Sequence, residues 1–180
     1  MGKRSNFERI PKDKYPTPYS AVVPLLPFLK EGTHFSEPCA GNGILIDHLH
    51  ANGHVCESAY DIEPERDDIT KKNALDVYDR DVDCFITNPP WSRPILHDLI
   101  IHLSNQADTW LLFDADWMHT IQSAEYMQRC RKIVSVGRVK WMPGSKHVGM
   151  DNAAWYLFTD LVGEPTEFYG RTKKTGEKDV

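Results

Sequence analysis

The chain of 180 residues is 41% hydrophobic and 26% charged, with a formal net charge of -5. That length and apolar share fit one compact domain with its own core, and they exclude wholesale disorder, a fibrous repeat and a disulfide mini-scaffold. Net acidity argues against a nucleic-acid partner only until the distribution of the charge is known.

Taken in chain order, residues 1–14 read as a basic arm, and Ala21 to Leu29 as an apolar stretch interrupted by the helix-breaking Pro24 and Pro27. Thr33 to Glu37 is a predicted strand ending in Pro38-Cys-Ala-Gly-Asn-Gly43, which only a tight loop tolerates. Ile44, Leu45, His48 and Leu49 lie on one side at helical spacing, and Asn52-Gly53 ends that helix before a second strand from His54 to Tyr60. After an acidic segment, Val82 to Thr87 is a third strand, stopped by Asn88-Pro89-Pro90 because consecutive prolines cannot donate to a ladder. Ile95, Leu96, Leu99, Ile100 and Leu103 mark a helix, Thr109 to Asp114 a strand, and Met118 to Cys130 a helical stretch. Lys132 to Trp141 and Ala153 to Thr159 read as strands of a closing antiparallel hairpin, and residues 170–180 as a polar tail.

Alternating strands and helices with one terminal hairpin predict a single α/β domain over residues 1–180. Its mostly parallel sheet should carry ligands outside the carboxyl ends of the strands, and the loops 38–43 and 88–91 both fall on that edge. No apolar run approaches the roughly 20 residues of a membrane span, and the polar start lacks a signal-peptide core. A cytoplasmic location with no membrane partner is therefore expected. Cys39, Cys56, Cys84 and Cys130 form no CxxC pair and the histidines form no HExxH, so neither a disulfide framework nor a metal site is expected.

The charge is unevenly spread. Residues 37–88 hold twelve acidic and four basic groups, whereas residues 129–149 carry Arg129, Arg131, Lys132, Arg138, Lys140 and Lys146 and no acid. Such a segment is either a solvated face or a place to meet phosphate.

Two loops carry the chemistry. Gly41 and Gly43, between a strand and a helix, let the backbone come close to a ligand. Asp61, at the end of the next strand, can accept from both hydroxyls of a ribose. The loop lacks the Lys and Ser/Thr of a phosphate-binding P-loop, so a nucleoside ligand without a triphosphate fits better than ATP. The second loop, Asn88-Pro89-Pro90-Trp91, is the most specific feature. An exocyclic amino group is a poor nucleophile because its lone pair is delocalised into the ring. The Asn88 amide oxygen and the Pro89 carbonyl can each accept one of its N–H groups, the two prolines hold that carbonyl rigidly, and Trp91 offers a face for an extruded base.

Glu37-Pro-Cys-Ala-Gly-Asn-Gly43, Tyr60-Asp-Ile-Glu-Pro64 and Asn88-Pro-Pro-Trp91, in this order, resemble the S-adenosylmethionine-dependent amino-methyltransferases of nucleic acids, above all small DNA adenine-N6 methyltransferases of bacteria and their phages. The resemblance spans about residues 13 to 160. It implies a Rossmann-like class I methyltransferase fold, with a seven-stranded, mostly parallel sheet, a reversed terminal hairpin and helices on both faces. It also implies S-adenosyl-L-methionine as cofactor, with Thr17 at its carboxylate, Glu37, Cys39, Ala40, Gly41 and Gly43 around its methionine part, Asp61 on its ribose, Ile62 on its adenine ring and Asp76 at the adenine amino group. Asp79, Asp81 and Asp83 are neighbours that compete with Asp76 for that last match.

The resulting expectation is methyl transfer to N6 of a flipped adenine in DNA, with Asn88, Pro89, Pro90 and Trp91 catalytic. RNA is the main alternative substrate, followed by cytosine N4 and a glutamine side chain, and a cofactor-binding subunit without catalysis is the alternative of another class. The chain leaves no room for a separate target-recognition domain, which points to Arg138, Lys140, Lys146 and the loop from Met142 to Asn152 as the nucleic-acid contact and to a monomer or homodimer.

Overall fold

The computed structural model describes residues 15–142, 149 and 151–171, so Lys146, the arm 1–14 and most of the expected recognition loop lie outside the described residues. The strands are β1 (His34–Glu37), β2 (Val55–Asp61), β3 (Thr70–Lys71), β4 (Cys84–Thr87), β5 (Asp108–Asp114), β6 (Cys130–Arg138), β7 (Asn152–Phe158) and β8 (Glu167–Tyr169). They form one sheet in the order β3-β2-β1-β4-β5-β7-β6-β8. Only β7 runs against its neighbours, pairing antiparallel with β5 and β6, while all other pairs are parallel. The mostly parallel α/β sheet and the antiparallel hairpin are as expected.

Three expectations need correction. The sheet has eight strands rather than seven, because β8 pairs parallel with β6 beyond the hairpin, in register Ile133 with Phe168. Lys132 Nζ bonds Glu167 Oε2 across that pair at 2.8 Å, and the Tyr169 ring meets Phe28 edge-on at 4.6 Å. The expected helix from Met118 to Cys130 is instead two 3-10 turns, Ala115–His119 and Ile121–Ser123, and a four-residue helix, α4 (Ala124–Met127). Here Thr120 Oγ1 donates to the Trp117 carbonyl, and Ser123 Oγ to the carbonyls of Met118 and Thr120, which gives the backbone an alternative to a continuous ladder. Third, β6 stops at Arg138, so Lys140 and Trp141 follow the strand rather than alternating across it.

The N-terminal stretch is broken at Pro24 into α1 (Tyr19–Val22) and a 3-10 turn Leu26–Phe28, which accommodates Pro27 near its start. The other helices are α2 (Ile44–His50) and α3 (Arg93–Ser104). Period-two alternation divides the strand residues between two cores. Ile86, Leu112 and Trp155 pack with Val22, Leu45 and Leu49 of α1 and α2 on one face; Phe85, Phe113 and Tyr156 pack with Leu96, Leu99 and Ile100 of α3 on the other. The Trp155 indole donates to the Ala21 carbonyl at 2.7 Å, locking α1 to the sheet. On the second face Phe113 and Tyr156 stack at 4.2 Å, and the Tyr156 hydroxyl donates to the carbonyls of Asp114 and Ala115, fixing the carboxyl end of β5. Among the described residues no helix is long and apolar enough to cross a membrane.

Candidate active site

The carboxyl ends of β1, β2 and β4 open onto a cavity of about 770 Å³. Its wall brings together Thr17, Glu37, Cys39, Ala40, Gly41, Asp61, Ile62, Asn88 and Pro90 from the sequence-derived set. Gly43 sits at the turn into α2 behind the loop, Pro89 is buried, and Trp91 is half-buried against both cores; none of these three is on the cavity wall. Asp76 is exposed at the end of a 3-10 turn, and its neighbours Asn73, Ala74 and Leu75 line the cavity in its place. Of the competing acids, Asp79 accepts from the hydroxyls of Ser36, Ser58 and Tyr60 at 2.8, 2.5 and 3.2 Å, and Asp83 accepts from the His34 amide at 2.8 Å. Asp79 thereby staples its loop to β1 and β2.

Backbone contacts shape the first loop. Ala40 N donates to the Tyr60 carbonyl at 2.8 Å, and Gly41 N to Asp61 Oδ2 at 2.8 Å. Asp61 Oδ1 accepts from Glu63 N at 2.7 Å, so each carboxylate oxygen receives a backbone amide and the group is held in place at the cavity wall. Arg66, which nothing in the sequence singled out, lies over this turn. Its guanidinium donates to the Gly43 carbonyl at 3.2 Å and to Asp47 Oδ1 at 2.7 Å, and it forks onto Asp68 at 2.9 and 2.6 Å. Gly43 has φ 74°, and a Cβ there would run into that guanidinium. Gly43→Ala is therefore expected to destabilise the protein by about 1 to 2 kcal/mol from the left-handed backbone alone, read as a fall of several degrees in Tm, and an unchanged Tm would contradict that backbone strain.

Glu37 is the least comfortable group in the cavity. It is 2% exposed, and its Oε2 makes no hydrogen bond among the described residues. Burial raises its pKa well above the ordinary carboxyl value, the Asp61 charge raises it further, and Arg66 opposes the shift. A cavity wall carrying a buried carboxyl whose Oε2 makes no hydrogen bond among the described residues favours a cationic ligand. Burial together with the charges of Asp61 and Glu37 pushes the Cys39 thiol up to about 12, so it stays a thiol at neutral pH and is no nucleophile.

At the end of β4 the Asn88 side chain is held at both ends. Its Nδ2 donates to the Tyr15 carbonyl at 3.3 Å and to Thr17 Oγ1 at 3.2 Å, while its Oδ1 accepts from the Trp91 indole at 3.3 Å. The oxygen retains one lone pair. Trp91 meets Trp141 edge-to-face at 5.7 Å, and Tyr15 stands 6.3 Å from Trp141, so three aromatic rings adjoin the Asn88 turn. Ile95 and Leu99, one turn apart on α3, complete the apolar wall; their helical spacing was visible in the sequence, but not which cavity they face. Arg138 and Lys140 are exposed, at and just beyond the end of β6. Among the described residues no cluster of His, Cys, Asp or Glu is placed to hold a metal ion.

No family model matches the chain, and no curated protein matches it. Solved structures do. A protein from Pyrococcus horikoshii proposed to be an RNA methyltransferase superposes with a TM-score of 0.58 at 16% identity, over 89% of this chain and 95% of its own. A class I S-adenosylmethionine-dependent methyltransferase, so proposed, from Listeria monocytogenes gives 0.56 at 11% identity, over 92% and 68%. A modification subunit of a proposed type I restriction enzyme from Vibrio vulnificus gives 0.54 at 15% identity, over 92% of this chain and 48% of that subunit. At such identities the likeness is one of architecture, and the chain has the Rossmann-like fold of the class I S-adenosylmethionine-dependent methyltransferases.

Proposed function

We propose that the protein transfers a methyl group from S-adenosylmethionine to the N6 amino group of an adenine in DNA, flipped out of its stack to reach the Asn88 turn. The observation that carries this reading is the meeting of Asn88 and Pro90 with Glu37 and Asp61 around one cavity. The residues present suit the cofactor. Glu37 offers a buried carboxyl to a cationic amino-acid end, Asp61 places a carboxylate on the wall for ribose hydroxyls, and Ile62 and Leu75 give an apolar slot for a base. The bound cofactor supplies an electrophilic methyl group.

The protein's own work is positioning and hydrogen bonding. The remaining lone pair of Asn88 Oδ1 and the Pro89 carbonyl each accept an N–H of the target amine, turning its lone pair toward the methyl carbon. With the donor bound, the amine nitrogen would take the methyl group from the sulfonium, which would leave as a neutral thioether, and the methylated nitrogen would lose one proton to solvent. No covalent enzyme intermediate is required, in keeping with the raised thiol of Cys39. The half-buried Trp91, braced by Trp141, supplies an aromatic surface for the extruded base.

The same amino-methylation on RNA is a second reading, favoured by the name of the Pyrococcus neighbour. Incubating the protein with methyl-labelled cofactor and separate DNA, RNA and protein pools, followed by mass spectrometry of the labelled product, separates these readings. N6-methyladenine in DNA is the expected product. Label in RNA alone would move the substrate, and label in no pool would leave a cofactor-binding subunit without catalysis.

A further inference from the structure

A second depression, of about 500 Å³, lies outside the cofactor cavity. β4, β5, β6 and β8 run parallel, so their carboxyl ends share one edge of the sheet, and the reversed β7 brings its amino end to the same edge. The depression is built at that edge. His119 and Asp116 follow β5, Arg138 closes β6, Asn152 opens β7, and Phe168 and Arg171 come from β8 and the residues just after it. It therefore shares an edge with Asn88, on the side toward the hairpin.

Local backbone geometry brings Arg138 and Arg171 to one wall of the depression. The register of β6 against β7 shifts between Ser135 and Gly137, and such a bulge re-aims the residue that follows, here Arg138. Gly137 has φ 83°, and a Cβ at that position would stand 3.2 Å from Arg171 Cδ. The missing side chain lets Arg171 lie across β6 at Gly137, the residue before Arg138. Among the described residues of the wall, Asp116 is the one carboxylate and Arg138 and Arg171 are the arginines. Phe168, also on the wall, is 61% exposed, unusual for a phenyl ring.

Two guanidinium groups beside an uncovered ring match a phosphodiester with its adjacent base: the forked donors take the phosphate oxygens, and the ring takes the face of the base. We infer that this depression is a subsite for a nucleotide flanking the target, with Arg138 and Arg171 on the phosphate and Phe168 stacked on the base. The inference rests on the methyl-transfer reading for the identity of the strand but not for the chemistry of the subsite. It also adds Arg171 and Phe168, which lie outside the basic segment 129–149.

The test is fluorescence anisotropy of the full chain with labelled single-stranded DNA and RNA of one sequence, and with poly-glutamate, across a salt series. Replacing Arg138 and Arg171 together by alanine should reduce the slope of log affinity against log salt by about 1 to 2 on the nucleic acids. R138K with R171K should keep that slope. Phe168→Ala should weaken nucleic-acid binding about 5- to 100-fold at every salt concentration and leave the slope alone. The DNA and RNA arms tell which strand supplies the phosphodiester. Variants that bind both nucleic acids as the parent does, or a loss confined to poly-glutamate, would overturn the subsite. A parent that binds oligonucleotides through these residues yet labels none would defeat the methyl-transfer reading alone, whereas a parent that methylates DNA with all three variants binding normally would defeat the subsite alone.

Discussion

Asn88→Ala is expected to lower methyl transfer by about 10²- to 10³-fold, the loss typical when one preorganised hydrogen-bonding group is removed from a reacting centre. In the proposed chemistry the amide oxygen accepts one N–H of the target amine, and alanine offers nothing in its place. The structure adds a second consequence. Because Asn88 Nδ2 donates to Thr17 Oγ1 and the Tyr15 carbonyl, the same substitution should also loosen that side of the cavity and weaken cofactor binding. Asn88→Asp separates the two effects. It keeps an oxygen for the Trp91 indole but turns the other oxygen, an acceptor, toward the Tyr15 carbonyl, so cofactor affinity should fall even though an oxygen remains near the amine. Single-turnover transfer of label and calorimetry of cofactor binding read these quantities. An Asn88→Ala protein within threefold of the parent in transfer would remove Asn88 from the mechanism.

Glu37→Gln is expected to abolish a pH dependence. With a carboxyl whose pKa is raised by folding, the native state holds its proton over a range where the unfolded chain has already released it. Stability conferred by the protonated form is fully present below the ordinary value of 4.5, and it is lost as pH rises toward the raised folded value. A cationic ligand beside Glu37 reverses the preference, since it favours the carboxylate. Binding then releases a proton in the same window, and cofactor affinity rises with pH by up to about tenfold per unit. Glutamine at position 37 should flatten both the stability profile and the affinity profile and leave the cofactor weakly bound throughout. Calorimetry in buffers of different ionisation enthalpy measures the released proton directly, and a parent protein that releases none would break the link between Glu37 and the cation.

The parts of this molecule most readable from sequence are those punctuated by backbone chemistry. Gly41 and Gly43, the Asn52-Gly53 step and the prolines at 89 and 90 mark ends of elements because their constraints are local, and the structure breaks where they stand. Apolar spacing on α2 and α3 was readable for the same reason. The region from Met118 to Cys130 was not, because its apolar residues mimic a helix while Thr120 and Ser123 divert their hydroxyls to the backbone. β3 and β8 are only two and three residues long, too short for alternation to register, and each exists through its partner strand. Arg66 escaped notice because its role depends on a loop folding over Gly43, and Arg171 because parallel pairing of β8 with β6 brings it to Gly137.

The two bonds from Asn88 to Thr17 and to the Tyr15 carbonyl join the cofactor side of the cavity to the turn that would receive the target amine. In the proposed function, a side chain shared in this way would link the binding of the two ligands thermodynamically. If cofactor binding steadies Thr17, it steadies Asn88 with it, and whatever factor the cofactor adds to the affinity for the target, the target must return to the affinity for the cofactor. Under the proposed chemistry, such wiring would favour an order of events in which the strand is gripped best once the methyl donor is in place, with the grip slackening once the donor is spent and leaves.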